Sequence, residues 1–264
     1  MCLKQEDEPG LPLPTKRFVF LRPLAIRHGM IAFALPMDYP RVKKVGSFEE
    51  LVGTRFENGV NALCWQRTLA GDFGEVVERL AVGEGITSLD DETLEALELS
   101  SAGRAAVEIL MEDQRLLRAH ELDPVLDCIN GYLHVENPGP VPTDVCSFHV
   151  DSATVEADTY LCTYYGASSE GLRNEEAVRR VDVPETRAEL LRLYGGPDDE
   201  GFIEHLRENC FDLHYAPLPQ AKPFAFGLGN LWRIATQHPG CSVPPCIHRA
   251  PPPRPGQKRL LLIS

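Results

Sequence analysis

A histidine and an aspartate stand two residues apart, at His149 and Asp151, in the segment CSFHVDS. The segment is short, contains aromatic and β-branched residues and is bounded by turn residues, which predicts a β-strand. Side chains two positions apart in a strand project from the same face, so we expect this imidazole and this carboxylate to lie together. The pair would supply two of the three ligands of a metal site built from two histidines and one carboxylate.

The third ligand must come from a distant segment that folds alongside this strand. His248, in PPCIHRAPPP, is the best candidate, and the other histidines, including His214, have no spacing that demands a metal. Two histidines and one carboxylate leave three coordination positions open, which suits a non-haem Fe(II) that also binds oxygen and a co-substrate. A lone histidine is more often a hydrogen-bonded structural residue, and only the combination of His149 with Asp151 and His248 favours the metal site.

An arginine follows the second histidine by eleven residues, at Arg259, where the final apolar segment RLLLIS begins. The connection PPPRPGQK is rich in turn residues and predicts a hairpin that places the guanidinium beside the metal site. Arginine holds a carboxylate through two parallel hydrogen bonds. The spacing therefore indicates a clamp for a small dicarboxylate, and the alternative is a solvated arginine at a hairpin end.

These residues resemble the signature of the Fe(II)/2-oxoglutarate-dependent dioxygenases, which is H-x-D, a distal histidine and a later arginine on a double-stranded β-helix. The resemblance covers about residues 130–264. It implies that His149, Asp151 and His248 are the iron ligands and that Arg259 holds the distal carboxylate of 2-oxoglutarate.

The resemblance also implies that the strand DTYLCTYY touches the co-substrate, and Thr163 and Tyr160 are the residues expected to do so. Which face of this strand points inward is left open by the TYLCTYY pattern. The blocks FHVD, LCTYYG and IHRAPP are further similar to a bacterial family of unknown function with HVD, TY-x-G and HRSPP blocks. Some of its members are encoded near zinc-homeostasis genes, which keeps a metal-handling role open.

The pattern of the sequence changes near Asn130. Residues 47–130 are predicted to be helical, and the clearest helix runs from Ser100 to Leu122 with Ser100 or Ser101 as N-cap. The segments that follow are short, rich in β-branched and aromatic residues and separated by turns, which predicts strands. Shorter helices are expected around residues 72–82, 90–99 and 186–208.

The fold class predicted from this pattern is α+β, mainly β, with a double-stranded β-helix (jelly-roll, cupin-like) core and an N-terminal helical layer. The expected organisation is a flexible tail at 1–17 and a single domain at 18–264. Within that domain, 18–129 would be a mostly helical support region, and 130–264 the β core with the metal site.

Composition excludes several classes of protein. The 264 residues include 26 Lys and Arg against 39 Asp and Glu, and the formal net charge of −13 argues against a nucleic-acid partner. A composition of 43% hydrophobic and 25% charged residues is typical of a globular protein. No apolar run reaches the ~20 residues that a membrane-spanning helix needs. The eight cysteines contain no CxxC pair and no secretory signal precedes them, so we expect reduced thiols in a cytoplasmic protein.

The function expected from these features is an oxygenase that uses Fe(II), 2-oxoglutarate and O₂. It would hydroxylate, or otherwise oxidise at a C–H bond, a small molecule or a carrier-tethered amino-acid or acyl group. One alternative is an iron oxygenase or isomerase that needs no 2-oxoglutarate, in which Arg259 binds the substrate's own carboxylate. Another is a non-catalytic zinc-binding or metal-homeostasis protein. Cys241 and Cys246, close to His248, leave a thiolate zinc site as a further possibility.

Overall fold

A mixed sheet of seven strands forms the centre of an α+β protein. The computed structural model describes residues 36, 38–132, 139–254 and 256–264, all within the compact unit Phe33–Ser264. The tail predicted at 1–17 lies outside the described residues. The strands are, in chain order, β1 (Val42–Val45), β2 (Ala62–Trp65), β3 (Gly85–Leu89), β4 (Val125–Asn130), β5 (Asp158–Tyr165), β6 (Glu170–Leu172), β7 (Ala177–Arg179), β8 (Tyr215–Pro217), β9 (Phe224–Ala225), β10 (Leu231–Ala235), β11 (Ile247–Arg249) and β12 (Arg259–Ile263).

The seven strands of the large sheet lie in the order β1-β2-β10-β5-β12-β4-β3. Only β1 and β2 run parallel, and every other pair in the sheet is antiparallel. A small antiparallel sheet has the order β11-β6-β9, and β7 pairs with β8. The class α+β is therefore confirmed.

Helices cover one face of the large sheet. The helices on this face are α1 (Phe48–Gly53), α2 (Phe73–Arg79), α3 (Asp91–Glu95) and α4 (Ser101–Arg118). Two further helices, α5 (Pro184–Tyr194) and α6 (Glu200–Glu208), follow later in the chain and pack in a separate apolar cluster. Leu51, Val76 and Leu110 from the first layer pack with Leu126 and Leu262 of the sheet in one apolar core. Within the described part of the chain, no helix has the length and apolar character needed to cross a membrane.

The small sheet lies on the opposite face of the large one. Leu161 of β5 and Trp232 of β10 pack there against Phe226 and Cys246, which adjoin β9 and β11. Alternation along β5 divides its side chains between these two cores. Tyr160, Cys162 and Tyr164 face the helices, and Thr159, Leu161 and Thr163 face the small sheet.

The helix expected from Ser100 to Leu122 is confirmed as α4. The Ser100 hydroxyl caps it by accepting a hydrogen bond from the backbone N–H of Gly103. The shorter helices expected around 72–82, 90–99 and 186–208 correspond to α2, α3 and the pair α5–α6.

The helical assignment of residues 47–130 is incomplete, because β2, β3 and β4 also lie in this region. The support region predicted at 18–129 thus supplies strands of the large sheet as well as helices. Strand β2 is only four residues long, and three of its side chains are buried, so its sequence ALCW shows no alternation. Such short apolar runs do not distinguish a buried strand from a helix by periodicity.

A buried ion pair ties the helical layer to the sheet. Arg67 donates two hydrogen bonds of 2.7 Å to the Asp113 carboxylate of α4, and the Tyr164 hydroxyl of β5 donates a third of 2.6 Å. Nearly all of this carboxylate is removed from water. A buried charge stays favourable only while its partners remain in place, so these three residues fix the position of α4 on β5.

We predict that Asp113→Ala lowers the free energy of unfolding by roughly 3–5 kcal/mol, because it leaves the Arg67 cation buried without its carboxylate. Urea unfolding followed by circular dichroism measures this change. Glu112→Ala is the matched control, since Glu112 pairs with Arg115 on the exposed side of the same helix. A loss for Asp113→Ala no larger than for the control would contradict the prediction.

Candidate metal centre

The structure brings together the three residues predicted as metal ligands. One ligand atom from each of His149, Asp151 and His248 lies within 4.8 Å of the others. Nε2 of His149 is 3.7 Å from Oδ1 of Asp151, and Nε2 of His248 is 3.6 Å from Oδ2 of the same carboxylate. Among the described residues, this is the one group of at least three such side chains close enough to share an ion.

A pair of backbone hydrogen bonds sets the two histidines side by side. The N–H of His149 donates to the carbonyl of His248, and the N–H of His248 donates back, each at 2.9 Å. Partners in such an antiparallel bridge project from the same face, and the ring centroids lie 4.6 Å apart. The segment CSFHVDS was predicted as a strand, but it pairs only through isolated bridges at His149 and Ser152.

The backbone also orients each imidazole ring. Nδ1 of His149 donates to the Ser147 carbonyl at 2.8 Å, and Nδ1 of His248 lies 3.3 Å from the Cys246 carbonyl. A proton held at Nδ1 leaves the lone pair of Nε2 free toward the carboxylate, which is the arrangement that metal-binding histidines adopt.

The charge states of His149 and Asp151 suit a cation. Burial, and after it the neighbouring His248, lowers the pKa of His149, so its ring is neutral near pH 7. Burial acts to raise the pKa of Asp151, but the facing His248 and the Thr159 hydroxyl outweigh it, so the pKa lies below its ordinary value. Thr159 donates to Oδ2 of Asp151 at 2.6 Å. A neutral imidazole at His149 and an ionised carboxylate at Asp151 are the forms that ligate metals.

The spacing of the ligand atoms also fits a metal ion. Three atoms no more than 4.8 Å apart can all lie within about 2.8 Å of one point. Bonds from nitrogen or oxygen to a transition metal are ~2.0–2.2 Å long, so each side chain needs to move by less than ~1 Å. Two histidines and one carboxylate form the donor set of a site with open positions.

A cavity of 260 Å³ opens on this site, and His149 and Asp151 form part of its wall. The buried ring of His214 lines the same cavity, although the position of this histidine in the sequence indicates no metal role. His214 is paired with His149 in a second bridge, and their ring centroids are 5.7 Å apart. Only the pairing of the two segments brings it here, and no spacing in the sequence signals that pairing.

Arg259 is buried, with 5% of its surface exposed, so the alternative of a solvated hairpin arginine is wrong. Its guanidinium donates to the Ala167 carbonyl at 2.7 Å and to the hydroxyls of Tyr132 and Ser169. Burial lowers its pKa, although arginine remains protonated at neutral pH. In the described part of the chain no carboxylate pairs with this cation. It borders a second cavity, of 20 Å³, rather than the one beside the histidines.

The two residues of β5 predicted to touch the co-substrate are separated by the strand. Thr163 faces the small sheet, and its hydroxyl lies 3.5 Å from the Arg259 guanidinium. Tyr160 faces the helical layer and belongs to the apolar core there. The structure therefore places Thr163 beside the predicted clamp, and it does not bring Tyr160 to the site, because odd and even positions of a strand face opposite ways.

The thiolate zinc alternative is not assembled among the described residues. Cys246 is buried in the core between the two sheets, where burial raises the pKa of its thiol. Cys241 lies outside that core with its Sγ 3.1 Å from the Val243 carbonyl. Neither thiol joins the group that His248 forms with His149 and Asp151.

Comparisons with known proteins add no relative: no family profile, no curated protein and no solved structure matches this chain.

We predict that the metal-free protein loses stability as the pH falls from about 6.5 to about 4. Burial, and after it the nearby His149, lowers the pKa of His214 from 6.5 to about 4. The unfolded chain takes up this proton below pH 6.5 and the folded chain does not, so acid favours unfolding by roughly 2 kcal/mol across this window. Urea titrations at several pH values measure the slope.

His214→Gln should flatten this slope, because the glutamine side chain does not titrate. His238→Gln is the control, since His238 does not line the cavity. Equal slopes in wild type and His214→Gln would show that the buried imidazole does not govern the acid response.

Proposed function

We propose that the protein is a non-haem Fe(II)- and 2-oxoglutarate-dependent oxygenase. The observation that carries this proposal is the assembly of His149, Asp151 and His248 from two distant segments into one group of suitable charge and spacing. When bound, Fe(II) and 2-oxoglutarate supply the oxidation of a C–H bond by O₂, with release of succinate and carbon dioxide.

The order of the strands supports a double-stranded β-helix as the core. From β4 onward the chain passes between the two sheets: β4, β5, β10 and β12 lie in the large sheet, and β6, β9 and β11 in the small one. His149 extends the small sheet beside β11. A jelly roll consists of two facing sheets between which the chain passes back and forth. The candidate ligands lie on the side of the small sheet.

The burial of Arg259 supports a ligand that carries a carboxylate. Arginine is seldom buried without an anionic partner, and this one is held by a carbonyl and hydroxyls alone among the described residues. A carboxylate arriving there would take the place of hydroxyl acceptors on Nη1 and Nη2 and form charge-assisted hydrogen bonds. The hydroxyls of Tyr132 and Ser169 can also donate to it.

One strand connects the clamp to the metal ligands. The Thr159 hydroxyl contacts Asp151, and the Thr163 hydroxyl contacts Arg259, both from the same face of β5. The Cα atoms of Thr159 and Thr163 are four residues, or about 13 Å, apart along the strand. The side chains of Arg259 and Asp151 make the distance between the guanidinium and the metal site shorter than this. A short dicarboxylate lying along β5 would connect the two.

The substrate would enter from the 260 Å³ cavity, which opens on His149 and Asp151. A cavity of this size admits a small molecule or the end of a carrier-tethered amino-acid or acyl group. The same triad would also serve an iron oxygenase that needs no 2-oxoglutarate, in which case Arg259 would hold the substrate's own carboxylate. A non-catalytic zinc protein would use the triad alone.

An anaerobic titration tests the proposal. Fe(II) followed by 2-oxoglutarate should produce the visible charge-transfer band of a chelated complex in wild type. His149→Ala, Asp151→Ala and His248→Ala should each lose bound iron and this band, because two remaining ligands hold a metal weakly. His205→Ala is the control outside the triad. Iron uptake without the band would favour the iron enzyme that needs no 2-oxoglutarate. Full iron content in any two of the triad variants would show that the three residues are not the metal ligands.

Arg259→Ala should weaken 2-oxoglutarate binding while iron binding stays near normal. Truncating one partner of a buried, charge-assisted pair costs roughly 2–5 kcal/mol, which corresponds to about 30- to 3,000-fold in affinity. Arg259→Lys should recover part of the loss, because an ammonium keeps the charge but cannot present two parallel donors. Titrating the band with 2-oxoglutarate measures both, and equal affinities in wild type and Arg259→Ala would exclude the clamp.

A further inference from the structure

Thr159 holds one oxygen of the predicted carboxylate ligand. Its hydroxyl donates to Oδ2 of Asp151 over 2.6 Å, a length typical of a hydrogen bond to an ionised acceptor. Oδ2 also lies 3.6 Å from Nε2 of His248, and the other oxygen, Oδ1, lies 3.7 Å from Nε2 of His149, so the contact with Thr159 is what distinguishes Oδ2. The two oxygens of Asp151 therefore differ in their surroundings, although they are chemically equivalent.

The hydroxyl itself is held firmly. Thr159 is buried and pairs with Ile234 of β10 within the large sheet. A β-branched side chain in a strand has few rotamers available, so its hydroxyl cannot readily turn away. Asp151 lies between the bridges at His149 and Ser152, and its backbone carbonyl accepts a hydrogen bond of 2.7 Å from the N–H of Gln237. The hydrogen bond thus fixes the Asp151 side chain to the large sheet.

We propose that Thr159 keeps Asp151 a ligand through one oxygen only, and so preserves the third open coordination position. This inference rests on the proposed function. Three protein ligands leave three of six positions, two for the chelating 2-oxoglutarate and one for O₂. A carboxylate that bound through both oxygens would remove the last of these. Thr159 is thereby a positioning residue that acts through Asp151.

Thr159→Val tests the proposal, because valine has nearly the shape of threonine without the hydroxyl. Thr159→Ser, which keeps the hydroxyl, is the matched control. Crystals of each protein loaded with Co(II) would show the denticity directly. We expect one Asp151 oxygen at bonding distance in wild type and Thr159→Ser, and two in Thr159→Val. Two oxygens in wild type, or one in Thr159→Val, would overturn the proposal.

A solution measurement gives an independent readout. Nitric oxide binds to Fe(II) at an open position and yields a spin-3/2 electron paramagnetic resonance signal. With 2-oxoglutarate present, we expect the signal of Thr159→Val to require about tenfold more nitric oxide, or more, than that of wild type, since a hydrogen bond to a charged group is lost. Thr159→Ser should match wild type, and a wild-type response in Thr159→Val would also overturn the proposal.

The outcomes separate this proposal from the proposed function. A wild-type protein that takes up no metal would contradict both the proposed function and the proposed role of Thr159. A wild-type protein that binds metal but gives no complex with 2-oxoglutarate would remove the co-substrate, while the Co(II) crystals would still decide the role of Thr159. Unchanged denticity in Thr159→Val would remove only the role of Thr159.

Discussion

The backbone bridge between His149 and His248 is the constraint on which the site depends. Two segments far apart in the sequence meet at this bridge through a reciprocal pair of hydrogen bonds. Two hydrogen bonds alone do not offset the entropy lost in closing so long a loop, so the packing of the sheets must hold the candidate ligands together. The site is thus a product of the tertiary structure and not of any single element.

Strand β5 joins the two halves of the structure around that bridge. Its helix-facing side chains, Tyr160, Cys162 and Tyr164, belong to the large apolar core, and Tyr164 contacts the buried pair of Arg67 and Asp113. Its opposite side carries hydroxyl groups toward the ligands and the arginine. One strand therefore combines the packing that stabilises the sheet with the polar contacts that place the site.

What the sequence predicts correctly depends on how local the cause is. The N-cap at Ser100 and the periodicity of α4 are set within a few residues, and both are confirmed. The meeting of His149, Asp151 and His248 follows from the chain topology, which no local pattern encodes. The face of β5 could not be predicted from TYLCTYY, because polar and aromatic residues occur at both odd and even positions. Likewise His214 reaches the cavity only through cross-strand pairing, a register that its own segment does not encode.

The two parts of the cavity surroundings, the sheet and the wall outside it, differ in how freely their residues can be substituted. The β5 hydroxyls are embedded in a sheet paired on both sides. The cavity wall away from it comes from segments outside the sheets, including Val145 in a turn and Leu213 at the end of a short 3-10 helix. A side-chain substitution in these segments leaves the ladder of the large sheet intact, whereas a shift of β5 would move Thr159 and Thr163 together. The cavity wall can therefore change in shape while the positions of the Thr159 and Thr163 hydroxyls stay fixed by the sheet.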